Sequence, residues 1–132
     1  MVKHVRADEV EGIRAAPPHS RTLKHLAAPW TIGSQNLWVG LSEVDPGSSS
    51  NPHSHDNEEA FFVVSGKGRV EVEGETADVG PGSLVLIPPN TLHRLFNPGP
   101  EVLRVLCCAA PAFDKSVFDS RHLLTDEERE ES

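Results

Sequence analysis

His53 and His55 stand two residues apart, and Glu59 follows four residues later at the entrance to an apolar run over residues 60–64. In an extended strand side chains alternate with a period of two. Both imidazoles therefore face one way, and Glu59 returns to that face if the strand continues without a bulge. Two imidazoles and a carboxylate converging there make half a metal site, a donor set that suits iron, manganese, nickel or zinc. A second stretch, residues 82–97, offers a third histidine, His93, in a strand that could lie beside the first. If all four side chains bind one ion, an octahedral metal keeps two neighbouring positions for water, substrate or dioxygen. A bound ion of this kind polarises a carbonyl, lowers the pKa of its water or holds a chelating substrate.

The elements around these residues are short strands between turns. Apolar and polar residues alternate over 30–44, with Leu37, Val39 and Leu41 on one face and Trp38 on the other. Asp45-Pro46-Gly47 is a turn, and Pro52 restricts the entry into the His53 strand. Residues 59–65 read as a strand with Phe61 and Val63 on the face of Glu59, and with Phe62 and Val64 opposite. Turns at Gly66-Lys67-Gly68 and Glu73-Gly74 frame a hairpin of residues 69–72 and 76–79. Further strands are expected over 84–87, 92–97 and 102–108, separated by Pro88-Pro89-Asn90 and Asn97-Pro98-Gly99-Pro100. Many short strands at such spacings indicate an all-β sandwich or barrel. Parity then places Phe61, Val63 and Leu95 on the pocket wall, with Leu37, Val39 and Leu41 as further candidates. These walls are apolar, so the expected ligand is small and partly apolar, or a chelator held mainly by the metal. Arg94 falls opposite His93, and no cluster of Arg or Lys stands ready for a sugar phosphate.

The two stretches together resemble the paired motifs of the cupin superfamily. The first motif reads Gly, five residues, His-x-His, three or four residues, Glu, six residues, Gly; Gly47, His53, His55, Glu59 and Gly66 fit every position. The second reads Gly, five residues, Pro, x, Gly, two residues, His, three residues, Asn. Gly82, Pro88, His93 and Asn97 fit, while Asn90 stands where the family usually has glycine. Asn is the next most tolerant residue of left-handed backbone. The resemblance implies a double-stranded β-helix, or jelly-roll barrel. It also implies one divalent metal per chain on His53, His55, Glu59 and His93, with iron or manganese favoured and nickel, copper or zinc as alternatives. Members of the superfamily often perform dioxygenase chemistry; others isomerise or epimerise sugars, decarboxylate, cleave small acids or simply bind a ligand.

The rest of the chain bounds the answer. Its 132 residues suffice for one packed core, and 37% hydrophobic residues exceed what a disordered chain carries. A net charge of −8 argues against a nucleic-acid partner, and no apolar run is long enough for a membrane helix. The first residues lack the apolar core of a secretory signal, so the cytoplasm is the expected location. We expect an N-terminal arm over 1–28, the barrel over 29–112 and an extension over 113–132. The pattern Thr125-Asp-Glu-Glu128 begins a short helix in that extension. Cys107 and Cys108 are neighbours on a strand and point to opposite faces, which disfavours a mutual disulfide. His4, His19, His25 and His122 read as surface residues, Glu58 as solvent-facing, and Asn97 as the holder of a turn. Trp38, Phe62 and Phe96 are outward apolar candidates for a homodimer contact.

Two functional classes follow. The first is a metal-dependent enzyme, most simply a dioxygenase-type oxidoreductase on a small organic substrate, with isomerase or lyase chemistry as variants. No separate general base is identifiable apart from Glu59. The second is a non-catalytic module that holds a small acid or sugar on the same metal.

Overall fold

The structure, a computed structural model, describes residues 1–118. The chain runs through nine strands: β1 (Ile13–Ala15), β2 (Arg21–Ala27), β3 (Trp38–Val44), β4 (Glu58–Ser65), β5 (Gly68–Val72), β6 (Glu75–Val79), β7 (Leu84–Ile87), β8 (His93–Phe96) and β9 (Leu103–Ala110). They form two antiparallel sheets, one of six strands in the order β1-β2-β3-β9-β4-β7 and one of three in the order β6-β5-β8. This is the all-β sandwich that the alternating short strands imply, in the jelly-roll form that the resemblance implies. The helix expected to begin at Thr125 lies outside the described residues, which end in a 3-10 turn at Lys115–Phe118. No described helix is long and apolar enough to cross a membrane.

Alternation builds the core. On β4, Glu59, Phe61 and Val63 point inward and are buried, whereas Glu58, Phe62 and Val64 are exposed. Val63 belongs to one buried cluster with Val44, Val70, Ile87, Leu95, Leu103 and Val105. Each such side chain contributes about 1.5–3 kcal/mol on leaving water. The β5–β6 hairpin closes through Glu73 (φ 48°) and Gly74 (φ 81°), both left-handed, as a two-residue hairpin turn requires. Asn90 likewise has φ 61°, the conformation for which the family uses glycine.

Two expectations are corrected. Residues 13–27 are not a free arm: β1 and β2 extend the large sheet, with Leu23 paired to Ser42 of β3 and Ile13 to Leu23. The inward face of β2 reads Arg21, Leu23, His25, a mixture that hides the strand from an apolar pattern. The facing of β3 is also reversed. Trp38, Gly40, Ser42 and Val44 form its inward row, while Leu37 is exposed, Val39 is half-buried and Leu41 is buried on the outer side. There Leu41 lies beside Lys24, whose Nζ reaches the carbonyl of Ala7 at 2.9 Å. The cause is Gly40: a Cβ at that position would sit 2.3 Å from Cη2 of the Trp38 indole, so only glycine lets the ring fold across the strand. Trp38 is thus an interior residue and no candidate for a subunit contact.

Candidate metal centre and its cavity

The loop before β4 and the start of β8 bring the two motifs together. His53 and His93 exchange both main-chain hydrogen bonds, His53 N to His93 O at 3.1 Å and His93 N to His53 O at 2.9 Å. Asn90 N adds a third tie, to His55 O at 2.7 Å. As a result one ligating atom from each of His53, His55, Glu59 and His93 lies within 4.8 Å of the others.

Each imidazole is oriented in the same way. Nδ1 of His53 faces Asn51 O at 2.8 Å, Nδ1 of His55 faces Asn57 O at 3.0 Å, and Nδ1 of His93 faces Thr91 O at 2.9 Å. A carbonyl only accepts, so each Nδ1 carries the hydrogen and each Nε2 is turned toward the cluster. Nε2 of His93 is fully buried and makes no hydrogen bond, its nearest carboxylate oxygen, Glu59 Oε1, being 3.5 Å away. A buried nitrogen lone pair without a partner is costly unless something else meets it. The donor set, the shared Nε2 direction and this orphaned atom all fit a divalent cation.

The electrostatics agree. Burial, reinforced by the neighbouring His93, pushes the His53 imidazole down to about 4, so it stays neutral and able to ligate. Burial also disfavours charge on His55, but the hydrogen bond and the negative charge of Glu59 outweigh it and raise its pKa. Both nitrogens of His55 face acceptors, since Nε2 lies 3.1 Å from Glu59 Oε1. Glu59 itself is raised by burial and lowered more strongly by His55 and His93, leaving it below the usual carboxylate range. That suits a ligand better than a base.

His53, His55 and Glu59 line a cavity of about 520 Å³, with His93 buried beside them. Phe61 and Leu95 line it; Val63 is sealed in the core behind them, and Leu37, Val39 and Leu41 are turned away from it. The other apolar walls come from Leu23, Trp38, Phe113 and Phe118. Trp38 stacks with Phe118 at 5.2 Å between centroids, and Trp38 Nε1 donates to His25 Nδ1 at 3.0 Å. His25 is therefore part of an aromatic cluster, not a surface residue, because its ring fills the corner between Trp30, Trp38 and Phe118. His19 is also buried, with Nδ1 on Ser49 O at 3.1 Å. Cys107 lines the cavity while Cys108 is exposed, and both thiols are free. Burial, with the charge of Glu59, pushes the Cys107 pKa well above the usual thiol range, so it is not a thiolate nucleophile.

A model of the cupin domain matches residues 40–108, more than half of the chain and both motifs. The chain is a cupin. Among other members, it is 36% identical to the uncharacterised protein SCO3923 of Streptomyces coelicolor over 83% of this chain and 97% of that one. It is 30% identical to the polyketide synthase CurC of Streptomyces cyaneus over 83% of this chain and 72% of that one. The structure of KdgF from a Halomonas species superposes with a TM-score of 0.75 at 23% identity, covering 88% of this cupin and 99% of that chain. Two features of this cupin's cavity were hidden in the sequence: the inward Trp38, signalled only by the glycine two residues on, and Arg21, which lines the cavity from β2.

Proposed function

We propose that this cupin is a metal-dependent enzyme acting on a small, flat organic substrate that chelates the ion through oxygen. One observation carries the reading: three inward imidazole nitrogens and one carboxylate converge within 4.8 Å, and His53, His55 and Glu59 of that cluster line a cavity walled by Trp38, Phe61 and Phe113. His53, His55, Glu59 and His93 would hold the metal, with iron or manganese favoured and nickel, copper or zinc as alternatives. When bound, the ion would supply Lewis-acid or redox activation of a coordinated substrate. The aromatic wall excludes water and packs against an unsaturated body, while Trp38 is held in place by His25 and Gly40.

Dioxygenase-type oxidation is the first reaction class. A non-redox condensation or cyclisation is the second, favoured by the 30% identity to the polyketide synthase CurC and by the likeness to the polyketide cyclase RemF of Streptomyces resistomycificus, 26% identical over 83% of this chain with a TM-score of 0.73. Oxygen uptake by iron-loaded protein with a panel of catechols, hydroxybenzoates and 1,3-diketones separates them. Uptake coupled to product supports oxidation. Product without uptake supports cyclisation, and saturable binding without product reduces the protein to a binding module.

We further propose a homodimer. Its support is the outer face of the large sheet, where Phe62 and Val64 of β4 lie beside Leu84 and Leu86 of β7, all exposed. Phe96 is a weaker candidate, since the Arg94 guanidinium covers its ring at 4.3 Å.

A further inference from the structure

Five of the described arginines pair with carboxylates: Arg6 with Asp8, Arg14 with Asp45, Arg69 with Asp78, Arg94 with Glu71 and Arg104 with Glu43. All five are half-buried or exposed. Arg21 is the exception on both counts. It is only 8% exposed, and no described carboxylate lies within ion-pairing distance. Its guanidinium donates to two neutral oxygens, His19 O at 3.2 Å and Asn51 Oδ1 at 3.3 Å. Three of its five N–H donors remain for something else. It lines the same cavity as His53, His55 and Glu59.

A buried cation without an anion is unfavourable, and burial accordingly pulls Arg21 below its ordinary pKa. The other charges do not offset it. A divalent ion would outweigh the single negative charge of Glu59, leaving the cavity positive by two when Arg21 is counted. The overall charge of −8 makes that positive interior the more distinctive. An anionic ligand would neutralise it.

We infer that the substrate carries a carboxylate that pairs with Arg21 while its oxygen-bearing head lies on the metal. A monoanion fits better than a phosphate, because among the described residues Arg21 is the only basic side chain besides the histidines on the cavity wall. Leu23, Phe61 and Leu95 line the same space and give the ligand an apolar middle. The inference rests on the metal-centre reading above and deepens it.

The test uses zinc-loaded protein, redox-inert, with three probes followed by calorimetry: 3,4-dihydroxybenzoate, its neutral amide and catechol. The acid is expected to bind at least tenfold tighter than the amide. Arg21→Gln abolishes that preference and Arg21→Lys retains part of it, both with zinc stoichiometry unchanged. Inorganic phosphate is expected to compete weakly. Any absence of an acid–amide difference in the wild type, whether from equal binding or from none, overturns the inference. So does a preference that survives in Arg21→Gln, or phosphate competing better than the acid. Catechol reports on the metal alone: zinc-dependent catechol binding preserves the metal centre whatever Arg21 does, and zinc-independent binding removes it.

Discussion

Asn51 accepts a hydrogen bond from Arg21 Nη2 on its side-chain oxygen at 3.3 Å. Its main-chain carbonyl faces Nδ1 of His53 at 2.8 Å, so one residue holds both the cavity's buried cation and a candidate metal ligand. The two tasks fall on different atoms and separate by mutation. Asn51→Ala removes only the first, at a cost of about 1–3 kcal/mol for the uncompensated donor. Asn51→Asp supplies Arg21 with a carboxylate. Zinc stoichiometry is expected to stay unchanged while affinity for 3,4-dihydroxybenzoate falls tenfold or more, which calorimetry reads directly.

The ligand set makes its own prediction. Single replacement of His53, His55 or His93 by alanine is expected to take metal content from one ion per chain to near zero. Elemental analysis of untagged protein checks this. The fold should survive, since the core valines and leucines are untouched; an unchanged circular-dichroism spectrum is the control. Full metal retention in all three variants would sink the site.

Acid acts on the apo protein in a definite direction. The His53 pKa, near 4 in the fold, lies below its unfolded value of 6.5, and His25 is also lowered by burial. Between those limits the unfolded chain takes up protons that the native one refuses, so stability is lost as pH falls from about 6.5 toward 4. His53 alone accounts for up to about 3 kcal/mol over that window. His55 works the other way. Its raised pKa contributes stability that is complete below 6.5 and disappears as pH rises through the folded value. Urea unfolding at several pH values measures the sum, and His53→Gln should flatten the acid limb.

Metal uptake should also release a proton. Both nitrogens of His55 face acceptors and its pKa is raised, so the apo protein favours the imidazolium and a cation must displace that proton. Calorimetry in buffers of different ionisation heat is expected to show release that declines as pH rises through the His55 value. Equal heats in all buffers at pH 6 would contradict it.

Gly40→Ala tests the packing of the cavity wall. The new methyl collides with the indole of Trp38, for an expected loss of about 1–3 kcal/mol and a red shift in tryptophan emission as the ring moves outward.

The outer sheet face gives a last prediction. Sedimentation should find twice the chain mass, and Phe62→Glu with Leu84→Glu should halve it without loss of metal.

Much of this was legible because it rests on period-two alternation and turn chemistry. The parity of His53, His55 and Glu59 needs no distant contact to be read, and neither does the choice of Glu59 over exposed Glu58. Asn97 was similarly plain as a turn residue: its side chain reaches Val44 O at 2.9 Å and accepts Gly99 N at 3.0 Å. What stayed hidden depends on partners far along the chain. Arg21 and His25 carry no apolar signal, and the side chains that enclose them, Asn51 in one case and Trp30, Trp38 and Phe118 in the other, come from elsewhere in the chain. Trp38 looks outward until Gly40 is seen to make room for it. Phe113 reaches the cavity from beyond Pro111, past any strand that alternation can identify.

The three imidazoles take their orientation from carbonyls two residues away in their own stretches, at Asn51, Asn57 and Thr91. The coordination head is therefore a nearly self-contained part, carried by two short segments. The cavity walls come from β2, β3, the segment after β9, and Phe61 and Leu95 on β4 and β8. On the proposed function, substitutions there would retarget the protein to new ligands while a metal held by the four side chains stays where it is. A lineage, or an engineer, would then vary selectivity at Arg21, Trp38 and Phe113 without rebuilding the proposed metal centre.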